Sequence, residues 1–68
     1  MNQMEYAVMI LKRYGDVFAS HLEDAASNEE NWYNARTMLK DAEYILRLAG
    51  YNTDEFRDKW GNFVAGKE

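Results

Sequence analysis

His21 is the one histidine of the chain, and it stands close to Ser20, Glu23, Asp24 and Ser27, residue types that can bind metals or move protons. The spacing does not serve that chemistry. On a helix, residues two and three positions from His21 do not both face an ion that His21 also ligates, and neither Glu-x-x-His nor His-x-x-x-His is present. Nucleophilic catalysis would need Ser20, Ser27, Thr37 or Thr53 activated by His21, yet no glycine-rich elbow or oxyanion-forming turn accompanies any of them. The carboxylates Asp41 with Glu43, and Asp54 with Glu55, sit at adjacent or alternate positions and read as solvated helix surface. Gly15, Gly50, Gly61 and Gly66 are isolated, so no phosphate loop forms. Cysteine is absent, which removes disulfides, thiolate nucleophiles and cysteine-based zinc sites together. We expect no enzyme, no metal and no cofactor.

These side chains must be positioned by helices, because the chain lacks proline and its few β-branched residues never alternate with polar ones over a strand's length. Met4, Ala7, Leu11, Tyr14, Phe18, Leu22 and Ala25 recur at spacings of three and four, which predicts a helix over about 3–26. Lys12-Arg13-Tyr14-Gly15-Asp16 also reads as a helix stop followed by a new start. We expect one continuous helix, because the apolar stripe keeps its phase across Gly15, where a glycine would permit close helix approach.

Ser27-Asn28-Glu29-Glu30 matches a capping box and opens a second helix over about 28–49. Along it Trp32, Ala35, Leu39, Ala42, Leu46 and Ala49 form a seam of alternating large and small residues flanked by Met38 and Ile45, with Gly50 at the C′ position. The short turn between the two makes an antiparallel hairpin. Asn52 or Thr53 caps a short third helix over about 54–64, whose Phe56, Trp60, Phe63 and Val64 share a face that closes the hairpin. The expectation is an all-α fold, a single helical domain over 1–68 with a frayed tail at 65–68.

Two surfaces are left over. On the outer side of the second helix, Tyr33, Arg36, Lys40, Tyr44 and Arg47 lie together, beside Leu48 and Tyr51; aromatic and Arg side chains of this kind dominate protein interfaces. Either the third helix folds over part of this face or it is a docking surface. The first helix is apolar all round from Tyr6 to Leu11, and Tyr6, Met9, Ile10 and Val17 fall outside its main stripe. One antiparallel neighbour cannot cover them all. The third helix or a second subunit must do so, and we expect a homodimer forming a four-helix-type bundle, since a core this small is marginal by itself.

Eight Lys and Arg against twelve Asp and Glu leave a net charge of −4, which gives no general attraction for phosphate backbones or anionic membranes. A helix-turn-helix across Gly50-Tyr51-Asn52 would present Asp54-Glu55-Phe56-Arg57-Asp58-Lys59 to DNA, acidic at the end that should meet phosphates. The opening residues lack a basic n-region, and no apolar run is long enough to cross a bilayer, so a cytoplasmic protein without membrane contact is expected. The reading that follows is a non-enzymatic protein-interaction module, a small regulator or inhibitor of a larger protein. An accessory nucleic-acid binder using the Tyr/Arg/Lys face is the alternative, and an acidic nucleic-acid mimic a minor one.

Overall fold

The computed structural model describes residues 1–64, whose regular structure is all helical, and the tail expected at 65–68 lies outside the described residues. Four α-helices follow in order: α1 (Gln3–Leu11), α2 (Asp16–Asp24), α3 (Glu29–Leu48) and α4 (Asp54–Val64), with a single 3-10 turn, Lys12–Tyr14, between the first two. No strand occurs among the described residues. Nor is any helix among them long and apolar enough to cross a membrane.

The continuous helix expected over 3–26 is broken at Gly15, whose φ of 61° and ψ of −141° are open to glycine but strained for other residues. A side chain there would meet nothing within 4 Å, so this glycine serves the backbone bend and not a close helix approach. The inward stripe survives the bend. Ala7, Leu11 and Ala25 are buried and Met4, Tyr14, Phe18 and Leu22 half-buried.

α1 starts on a capping box missed in the sequence. Asn2 Oδ1 accepts from the Glu5 amide at 2.9 Å, and the Glu5 carboxylate accepts from the Asn2 amide at 3.1 Å. The cap of α3 is shifted by one residue from the expected Ser27: Asn28 Oδ1 accepts from the Asn31 amide at 3.1 Å, while the Ser27 hydroxyl donates to the Asp24 carbonyl and closes α2. α3 ends as its sequence predicts. Gly50 has φ 95°, its amide donates to the Arg47 carbonyl and the Tyr51 amide to the Leu46 carbonyl, the paired bonds of a Schellman motif.

The seam of α3 is the inner wall of the core: Ala35, Leu39, Ala42 and Leu46 are fully buried, Trp32 is half-buried, and Ala49 lies outside. Against it pack Ala7, Ile10 and Leu11 of α1 and Phe56, Trp60 and Val64 of α4. α4 thus packs on both α1 and α3. Its helical path is kinked at Trp60 (φ −121°, ψ 22°), whose ring lies 4.9 Å from that of Phe56.

Two buried polar side chains fasten α4 in place. The Gln3 Oε1 accepts from the Phe56 amide at 2.8 Å, a helix cap supplied from the far end of the sequence, while its Nε2 donates to Asn52 Oδ1 and Asp54 Oδ1. Glu43, expected on the solvated surface, is buried. Its carboxylate accepts from the Thr53 hydroxyl at 3.2 Å and from both Nε and Nη2 of Arg57, with Arg47 Nη2 at 3.7 Å. That grip holds Thr53 at φ 63°, a backbone setting unusual for a β-branched residue, so Thr53 contributes its hydroxyl to Glu43.

Candidate interaction surface

α3 is twenty residues long and its inner face is closed, so the residues opposite the seam decide what it shows to solvent. Tyr33, Lys40, Tyr44, Arg47 and Leu48 are exposed, Tyr44 by 64% and Leu48 by 70%. They run along about 22 Å of helix at 1.5 Å per residue. α4 leaves Tyr44 and Leu48 uncovered, having packed on the other side of α3.

The cations of this stripe are unequal. Arg36 is half-buried and its Nε donates to the Phe63 carbonyl at 3.0 Å, which ties the end of α4 to α3. Arg47 pairs with Glu43. Lys40 is exposed with no ion pair among the described residues. Tyr33 meets the Trp32 ring edge-on at 4.9 Å, and Trp32 stacks on Phe63 at 5.7 Å, so the stripe is rigid where it meets the core. Tyr51, at the end of the same face, is folded inward. Its ring lies 5.6 Å from Tyr6 and its hydroxyl donates to the Met1 carbonyl at 2.6 Å.

The second surface is dispersed. Ile10, placed there by the sequence, is 2% exposed and belongs to the core, because α4 covers that side of α1. Tyr6 is half-buried against Tyr51. Met9 and Val17 are exposed, but they stand on the two separate helices, α1 and α2, on either side of the bend at Gly15.

That bend instead creates a feature absent from the sequence reading. Val8, Leu11 and Lys12, then Gly15 and Phe18, and finally Lys59 and Trp60 line a groove of about 210 Å³ between the two halves of the broken helix and α4. Lys59 Nζ stands 5.0 Å from the Trp60 ring centroid. A sequence signal did exist, since Lys12-Arg13-Tyr14-Gly15-Asp16 reads as a stop and restart.

No protein family matches this chain, and neither does any curated protein or solved structure. The residues themselves therefore carry the functional reading. His21 Nδ1 donates to Asn31 Oδ1 at 2.9 Å, a bond between α2 and the first turn of α3 that accounts for this histidine structurally. Among the described residues, no three His, Asp or Glu side chains are grouped to hold a metal ion.

Proposed function

We propose that this protein is a non-enzymatic interaction module, a small regulator or inhibitor that acts by binding a larger protein through the outer stripe of α3. The observation that carries the reading is the exposure of Tyr44 and Leu48 one turn apart on a helix whose other face is fully packed. Burying Leu48 alone in a partner would contribute about 1.5–3 kcal/mol, and an exposed tyrosine beside it is a typical interface anchor. Lys40 at the rim favours a partner whose matching surface carries a carboxylate.

The nucleic-acid alternative has less support. Arg36 is turned toward Phe63 and Arg47 toward Glu43, which leaves Lys40 as the unengaged cation of the stripe among the described residues. Mimicry of nucleic acid rests on a charge of only −4. A homodimer is the secondary proposal, now resting on the exposed Val8, Met9 and Val17, and sedimentation at rising concentration tests it. A cytoplasmic setting goes with the reading, supported by a cysteine-free sequence.

The test places a photoreactive amino acid at Thr37, an exposed position on the stripe, in otherwise unaltered protein. Irradiation in native extract should give one discrete adduct. The adduct should disappear when Tyr44→Ala and Leu48→Ser are added, with the helical circular dichroism unchanged. Cross-linking that persists in that variant, or none in the parent, rejects the reading.

A further inference from the structure

The groove beside Gly15 has an apolar floor made by buried Leu11 and Trp60 and half-buried Phe18, and it opens to solvent past Val8. Water lies poorly on such a floor, and burying it would be favourable for any complementary group. Its volume of about 210 Å³ is below the roughly 300–1,000 Å³ of sites that enclose a drug-sized ligand or cofactor. It matches one or two inserted side chains.

Charge narrows the occupant further. Of the cations on the described residues, Arg47 and Arg57 pair with Glu43, and Arg36 donates to a backbone carbonyl. Lys12 and Lys59 have no ion pair among those residues, yet they come from opposite walls, one on the 3-10 turn and one on α4, and both line the groove. In a chain of net charge −4, two ammonium groups without an ion pair among the described residues, Lys59 resting 5.0 Å from the Trp60 ring, give one apolar trough a local sign opposite to that of the whole. An inserted apolar group flanked by carboxylates satisfies floor and rim together.

We infer that this groove takes an aromatic or branched aliphatic side chain of a protein segment that carries a carboxylate next to it. None of the groove residues belongs to α3, so this site and the Tyr44/Leu48 stripe can each fail without the other.

The probe is a blocked five-residue peptide with phenylalanine at its centre and glutamate on either side, titrated into the full isotope-labelled chain and followed by amide and indole resonances. Saturable shifts are expected at Lys12, Gly15, Lys59 and the Trp60 indole. They should weaken in 1 M salt, where the screening length falls to about 3 Å. A peptide with lysine in place of glutamate should not produce them. In the double variant Lys12→Glu, Lys59→Glu the preference should reverse, with affinity for the glutamate peptide lower by about tenfold, two surface pairs turned repulsive. Both lysines are exposed, so the variant's circular dichroism should match the parent's.

Equal binding of the two peptides, or saturable binding of neither, overturns the proposal. Decanoate saturating the same resonances where the glutamate peptide does not would make the groove a site for free amphiphilic carboxylates, which also overturns it. Shifts that follow the protein's own concentration would put a second copy there, with the same consequence.

Discussion

Gln3 caps a helix that begins some fifty residues after it, since its carboxamide oxygen accepts from the Phe56 amide, 53 positions along the chain. Gln3→Ala should lower stability by about 1–2 kcal/mol at neutral pH, measured by urea unfolding, because a buried N–H loses its acceptor. The same carboxamide donates to Asp54, and that bond, followed by the Glu55 amide, holds the Asp54 carboxyl below its usual value of 3.8. A carboxyl whose folded pKa is depressed adds stability above the unfolded value and loses it as pH falls through the folded one. The wild type should therefore lose part of its advantage over Gln3→Ala as pH is lowered well below 3.8; an advantage constant with pH would count against this linkage. Glu43 makes the companion case. Glu43→Ala should cost about 2–3 kcal/mol in the same assay, since Thr53 loses its hydroxyl partner and Arg57 its bidentate one. Its inward position was misread: taken with Asp41 as solvated surface, Glu43 in fact lies between Leu39 and Leu46 on the seam side of the helix. Its partner was not legible either, since Arg57 stands 14 residues away and no local spacing points to it.

Among the elements, α3 and α4 were readable because the local signals agreed to within a residue: periodicity and acidic first turns in both, and the C′ glycine after α3. The exposure of Tyr33, Lys40 and Tyr44 follows from the same helical wheel. The broken first helix was not readable by phase alone. A bend that restores the stripe after one turn leaves Leu11, Tyr14 and Phe18 on the same side, so the apolar pattern of the broken helix resembles that of a straight one. The groove was invisible for the same reason, since it exists only where the two halves diverge, and Ile10 was misplaced because nothing in α1 says which side α4 will cover. Gly15→Ala distinguishes the two geometries. With the bend, L-alanine at φ 61° and ψ −141° should cost about 1–3 kcal/mol, and D-alanine, which finds that region ordinary, should restore most of it in a synthetic chain. A continuous helix would instead gain about 1 kcal/mol from alanine and show increased helical circular dichroism.

The described residues form a thin body, 33 by 27 by 15 Å, although its radius of gyration of 11.5 Å is close to the roughly 11 Å expected for a compact chain of about this length. A slab of this shape buries one small cluster and leaves much of every helix near water, which is why apolar residues of α1, α2 and α3 remain exposed in a folded chain. Net stability at this length is about 3–10 kcal/mol, so each side chain of the cluster is a large share of it. Phe56 is fully buried and touches Trp60, and Phe56→Ala should remove about 3–5 kcal/mol, roughly a third of that stability or more, measured by urea unfolding. Tyr44→Ala with Leu48→Ser should change the unfolding free energy from urea titration by no more than about 0.5 kcal/mol, because neither side chain is committed to the fold. The contrast separates the two explanations of an exposed aromatic. A residue kept for packing destabilises the chain when removed, whereas one kept for a partner leaves the free protein unchanged and lowers stability only when that partner is present, through the binding it no longer supplies. A loss of 2 kcal/mol or more in the isolated Tyr44/Leu48 variant would make the α3 stripe part of the fold and remove it as a docking surface.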